Sequence, residues 1–124
     1  MTKILIVDDE IDVCDFVKHF FEDRNFRTFA ALDGEEALRI LKKEKPDIIL
    51  LDIRMKKMDG IETLKKIREI DKDVKVIMIT AVNEQDKMEI CHKLGAFKYI
   101  TKPLILEELE RVVCSHGKKD ENVS

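Results

Sequence analysis

The sequence predicts an α/β domain: a doubly wound, five-stranded parallel sheet with five helices. Short apolar runs alternate along the chain with stretches of helical spacing, the pattern of a parallel sheet. The central run, Ile48-Ile49-Leu50-Leu51, has no polar interruption, as a strand covered on both faces requires. Two of the runs end abruptly in acids, at Asp8-Asp9 and at Asp52, where a strand must emerge from the core. Parallel crossovers are nearly always right-handed, so one reversal of strand order places helices on both faces.

In chain order, Ile4–Val7 is the first strand, followed by Asp8-Asp9-Glu10. A helix from residue 11 to about 23 buries Val13, Phe16, Val17, Phe20 and Phe21 and leaves Ile11 and Cys14 off that stripe. Phe26–Ala30 is rich in strand formers and reads as a second strand near an edge. Asp33 and Glu36 have capping-box spacing for a helix that buries Ala37, Leu38, Ile40 and Leu41 and ends before Pro46. The third strand then runs to Asp52. Asp59-Gly60 is a turn signal ahead of a helix lined by Ile61, Leu64, Ile67 and Ile70. Val74–Ile79 is the fourth strand and closes at Thr80. Asn83 is the expected N-cap of a helix with Met88, Cys91 and Leu94 inward, and Gly95 suits its C-terminal turn. Phe97–Ile100 is the fifth strand, ending at Thr101-Lys102-Pro103. Leu106, Leu109, Val112 and Val113 belong to the last helix, the domain closes near residue 116, and Gly117–Ser124 is a polar tail.

Composition fits one soluble domain. The chain has 124 residues, 44% hydrophobic and 40% charged, enough for a real core. A net charge of -3 does not favour nucleic acid. Met1-Thr2-Lys3 leads directly into a strand and does not resemble a signal peptide, and no apolar run approaches the ~20 residues that cross a bilayer. The expected setting is the cytoplasm, away from membranes. Cys14, Cys91 and Cys114 are odd in number and widely spaced, as reduced packing thiols are. His19, His92 and His116 fall on three different helices and form no metal cluster, and Met55, Met58, Met78 and Met88 read as packing.

The strand C-termini share one edge of such a sheet, and ligands of open parallel sheets bind there. That edge collects Asp8, Asp9, Asp52, Thr80 and Lys102. Each has an ordinary structural explanation: an acidic first helical turn, a turn cap, a strand-end hydroxyl, a loop lysine. Their conjunction at four strand ends does not. Three carboxylates in one cleft raise one another's pKa unless a cation holds them, and oxygen ligands with water suit Mg²⁺. A hydroxyl and an ammonium complete a set that could bind a transferring phosphoryl group, with Asp52 as nucleophile.

On these residues the chain resembles a receiver domain of two-component response regulators over residues 3 to 116. Asp8-Asp9, Asp52, Thr80-Ala81 and Lys102-Pro103 stand after the first, third, fourth and fifth strands, and Arg54-Met55 and Met58-Asp59-Gly60 match the loop after the phosphorylated aspartate. The resemblance implies a flavodoxin-like strand order 2-1-3-4-5. It implies that Asp52 accepts a phosphoryl group from a sensor histidine kinase or phosphotransfer protein, aided by Thr80 and Lys102. It implies Mg²⁺ held by Asp9, Asp52 and the Arg54 backbone carbonyl, with Asp8 helping through water. Thr80 and Tyr99 would then form a switch that reshapes the face of the fourth helix, fifth strand and fifth helix for a downstream effector. The only catalysis implied is the protein's own phosphorylation and dephosphorylation. Lys56 departs from the family, which often has proline there, and predicts a looser loop.

Other classes fit less well. A phosphatase of the haloacid dehalogenase type needs a DxD pair, and Arg54 stands where the second aspartate would be. A flavodoxin-like cofactor binder needs a small, hydroxyl- or glycine-rich loop after the first strand, where Asp8-Asp9-Glu10 would repel phosphate. A receiver relative that only binds would not need the complete set. Ile11 and Cys14, off the buried stripe and beside the acids, are the expected kinase contact patch.

Overall fold

The computed structural model describes residues 1–123, the side chains of Val82, Gln85 and residues 116–123 apart. Strands β1 (Lys3–Val7), β2 (Arg27–Ala31), β3 (Ile48–Asp52), β4 (Lys75–Thr80) and β5 (Lys98–Thr101) alternate with helices α1 (Ile11–Glu22), α2 (Gly34–Glu44), α3 (Gly60–Ile70), α4 (Met88–Lys93) and α5 (Leu106–Val123). All neighbouring strands are parallel, in the order β2-β1-β3-β4-β5, the flavodoxin-like arrangement.

Alternation along each strand divides the core into two layers. Leu5, Val7, Ile49, Leu51, Val76 and Met78 face α2, α3 and α4, where they meet Ala37, Leu41, Leu64, Ile67 and Cys91. Ile4, Ile6, Ile48, Leu50, Ile77 and Ile79 face α1 and α5, where they meet Val17, Phe21, Leu109 and Val113. Burying each such side chain fully stabilises the fold by about 1.5–3 kcal/mol. Every residue of β3 is buried, as its unbroken apolar run requires.

The structure differs from the sequence reading in several particulars. β2, β4 and β5 each lie one residue further along than expected. The buried stripe of α1 is Cys14, Val17 and Phe21, while Phe16 is 60% exposed. Cys14 therefore faces inward, its thiol donating to the Asp8 carbonyl at 3.4 Å, and cannot belong to an exposed patch. Ile70, at the end of α3, is largely exposed. Asn83 does not cap α4: it lies within a 3-10 helix, Val82–Lys87, and α4 starts only at Met88. The Asp33 carboxylate accepts from the Glu36 N–H as expected, but the Glu36 carboxylate accepts from the Leu32 N–H, one residue before the Asp33 N–H that a capping box would use. Gly95 has φ +88, a left-handed conformation that glycine adopts without strain. Backbone of α5 runs to Val123, past the Gly117 boundary of the expected tail, where side chains and Ser124 lie outside the described residues. His19 and His92 are exposed, and the His116 side chain is also outside the described set.

Candidate functional site

The C-terminal ends of β1 and β3 sit side by side, because Val7 is registered with Leu51. Asp8 and Asp9 therefore open onto the same cleft as Asp52. One carboxylate oxygen from each lies within 4.8 Å of the others. Asp8 and Asp52 are buried, at 4% and 3% exposure, and Asp9 is half-buried.

Main chain and a lysine hold these acids in place. The Arg54 N–H donates to Asp52 Oδ1 at 3.0 Å, and the Lys102 ammonium donates to Asp52 Oδ2 at the same distance. The Glu10 N–H donates to Asp8 Oδ1 at 2.9 Å. The Lys56 N–H donates to Asp9 Oδ2 at 3.3 Å. Proline has no N–H and could not make that bond, so Lys56 tethers the loop where a looser one was expected. Lys102 is delivered by β5, whose end is pinned by the Lys102 N–H to the Thr80 carbonyl at 2.6 Å. Gly60, the first residue of α3, packs directly on the backbone of Asp52 and Ile53, where a Cβ would overlap the Asp52 carbonyl oxygen.

The charge balance is unequal: three acids face one ammonium. Burial pushes the Asp8 carboxyl up to about 6; the Glu10 N–H opposes this, and the Asp52 charge adds to it. Desolvation thus exceeds the mutual repulsion that the sequence alone points to. Burial by itself would lower the Lys102 pKa, but the hydrogen bond to Asp52 and the charges of Asp52, Asp8 and Glu10 outweigh it and raise it. A cleft of three clustered carboxylates with oxygen donors only, one of them with its pKa pushed up chiefly by burial, fits a small hard cation such as Mg²⁺.

Thr80 ends β4 on the same edge, while Tyr99 lies within β5, registered with Met78. Thr80 is fully buried, and its hydroxyl donates to the Ala81 carbonyl at 3.0 Å rather than to any of the acids. Tyr99 is 58% exposed and lines, with Met88, Cys91 and His92, a cavity of about 400 Å³ between α4 and β5. The structure thus gathers Asp8, Asp9, Asp52, Lys102 and the Arg54 backbone, with Thr80 adjacent and Tyr99 apart.

The Response regulator receiver domain matches residues 4–114. The chain belongs to this family. Sporulation initiation phosphotransferase F of Bacillus subtilis is 40% identical over 111 residues, covering 90% of each chain. Regulatory protein AtoC of Escherichia coli is 39% identical over 113 residues, 91% of this chain but 24% of its own length. Among solved structures, Vibrio cholerae chemotaxis protein CheY4 superposes with a TM-score of 0.88 at 31% identity, over 93% of this chain and 98% of its own. A CheY-like receiver domain protein of Methanospirillum hungatei reaches a TM-score of 0.92 at 27% identity, over 100% and 99%. The relatives are response regulators, and the haloacid dehalogenase and flavodoxin alternatives fall away. Among the described residues no helix is long and apolar enough to cross a membrane.

Sequence reasoning missed two groups. Glu84 is buried at 2% exposure, in ion-pair contact with Arg54 and with Lys87, the latter at 2.8 Å. Arg68 of α3 donates to the carbonyls of Asp71, Val74, Leu94 and Gly95, at 2.6–3.3 Å. Nothing in the spacing marks either, because each also joins elements distant in the chain, Glu84 to Arg54 and Arg68 to Leu94 and Gly95.

Proposed function

We propose that Asp52 is the phosphoacceptor of a two-component signalling switch. The observation that carries the reading is the Lys102 ammonium on Asp52 Oδ2 at 3.0 Å, beside two further carboxylates at the ligand edge of the sheet. An Asp52 oxygen attacks the phosphorus of a phosphohistidine or an acyl phosphate. The new P–O bond makes an aspartyl phosphate, and the old P–N or P–O bond breaks with its electron pair on the departing imidazole or carboxylate. Lys102 pairs with the phosphoryl oxygens, and the Thr80 hydroxyl leaves Ala81 to donate to them. Asp9, Asp52 and the Arg54 carbonyl would hold Mg²⁺, with Asp8 acting through water. When bound, the ion neutralises the charge of the phosphoryl oxygens. Catalysis is confined to the protein's own phosphorylation and dephosphorylation.

Receiver domains of this family work with histidine kinases and effector domains. For this chain the donor is a sensor histidine kinase or phosphotransfer protein, in the cytoplasm. The relative named as a phosphotransferase, matched over nearly its full length, supports a phosphorelay role. The donor docks beside α1, where Ile11 and Phe16 are exposed and Phe16 joins Val13, Pro103 and Leu104 around a groove of about 590 Å³ that borders Lys102. The output surface is the α4-β5-α5 face, which changes when Thr80 moves and Tyr99 turns inward. Incubation with Mg²⁺ and acetyl phosphate adds one phosphoryl group by intact mass, and Asp52→Asn abolishes it. Undiminished labelling of Asp52→Asn overturns the assignment.

A further inference from the structure

Glu84 is an acid buried at 2% exposure in the 3-10 helix between β4 and α4, and it has two cationic neighbours. Lys87 stands on one oxygen at 2.8 Å, inside the same short helix. Arg54 stands on the other, from the loop that follows Asp52. That second oxygen, Oε1, has the Arg54 Nε against it as a close ion pair that reaches across from the loop after Asp52 to the 3-10 helix. The Arg54 side chain is itself 68% exposed. Its backbone N–H is already on Asp52 Oδ1. The Glu84 N–H donates to the Ala81 carbonyl, which also receives the Thr80 hydroxyl.

We propose that Glu84 is a positioning residue: a latch that holds Arg54 and the turn before α4 in the unphosphorylated arrangement, and that phosphorylation opens. The proposal rests on the reading of Asp52 as the phosphoacceptor. A phosphoryl group there brings about two negative charges within two residues of Arg54. The guanidinium then has an anion of higher charge than the single Glu84 carboxylate, which it already shares with Lys87, and it moves to the phosphoryl oxygens. Thr80 leaves Ala81 in the same event, so the Ala81–Glu84 turn loses a restraint on each side. The far end of α4 is held differently. Leu94 and Gly95 offer their carbonyls to Arg68, whose partners are all backbone oxygens remote from Asp52. The N-terminal end of α4 moves and the C-terminal end stays, so the helix pivots on Arg68.

A ligand shifts a two-state equilibrium only through contacts that differ between the states, and the coupling is reciprocal. Removing the latch therefore tightens binding of the phosphoryl mimic. The test is titration of the full chain with beryllofluoride and Mg²⁺, followed by amide NMR. Glu84→Gln is expected to bind beryllofluoride about five-fold more tightly than the parent, at the low end of couplings between sites. Without ligand, its amides 83–88 are expected to lie displaced toward the parent's bound positions, with amides 94–96 in place. In an Arg54→Ala background the gain is expected to vanish. Equal or weaker affinity in Glu84→Gln overturns the proposal, as does a gain that persists undiminished in Arg54→Ala. Should Glu84→Gln not fold, Arg54→Met breaks the same pair from its exposed side, and amides 83–88 that stay in place overturn the latch. A parent protein that shows no beryllofluoride response refutes the Asp52 reading instead; the latch is then decided by the ligand-free spectra alone, where amides 83–88 of Glu84→Gln that coincide with those of the ligand-free parent overturn it.

Discussion

Without a divalent ion near neutral pH, Asp8→Asn should be more stable than the parent protein. The Asp8 carboxyl is pushed from its ordinary 3.8 to about 6, chiefly by burial. Between those values the folded chain keeps a proton that the unfolded chain releases. Stability therefore falls as pH rises through this window, and the penalty is complete above about pH 6. A two-unit rise corresponds to roughly 3 kcal/mol at about 1.4 kcal/mol per unit, and water in the open cleft reduces this to about 1–2 kcal/mol. Asparagine keeps an oxygen for the Glu10 N–H and has no charge to desolvate. For a domain of this size each kcal/mol is worth about 4 °C, so the variant should melt about 4–8 °C higher in EDTA near pH 7.5. Near pH 4 the gap should mostly close, because the parent is then protonated too. Saturating Mg²⁺ should reverse the order, since the ion stabilises the parent by mass action and binds the variant less well. The measurement is thermal unfolding by calorimetry under the three conditions. No gain in EDTA near pH 7.5, or the same gain near pH 4, refutes desolvation of Asp8 as the cause.

Arg68→Ala should cost about 2–4 kcal/mol in urea unfolding, because it strips hydrogen bonds from four backbone carbonyls at once; Arg68→Lys, which cannot span them, should recover less than half. Lys56→Pro should weaken Mg²⁺ binding by about three-fold in a calorimetric titration through loss of the N–H that orients Asp9, while Lys56→Ala, which keeps the N–H, should match the parent. An unchanged Kd in Lys56→Pro would show that this bond does not orient Asp9.

Strand identity was legible because each strand of this sheet is covered on at least one face, and apolar runs leave a direct trace. The site followed, since topology places the residues after β1, β3, β4 and β5 on one edge wherever the strands begin. A one-residue error in the bounds of β2, β4 or β5 moves no strand end away from that edge. Helix facing was less legible. The stripe with Phe16 and the stripe with Cys14 share Val13, Val17, Phe20 and Phe21, and spacing does not choose between them. Hydropathy favours phenylalanine, but the inward position over Asp8 holds the Cys14 thiol, which donates to the Asp8 carbonyl. Phe16 remains outside, on the groove beside Lys102.

Glu84 and Arg68 were illegible for a different reason. In sequence Glu84 is one acid in the polar run Asn83-Glu84-Gln85-Asp86-Lys87, and nothing in that run distinguishes it from the residues around it. It becomes distinctive only because the chain turns before α4 and folds its carboxylate under Arg54, thirty residues earlier in sequence. The clustered acids of the candidate site lie at strand ends, where the sheet dictates their place. The groups that restrain α4 lie where no period dictates anything, on a short 3-10 turn and at a helix end. A relative could exchange the latch without disturbing strand pattern, core or acceptor, so switching properties can vary while the phosphoryl chemistry stays fixed.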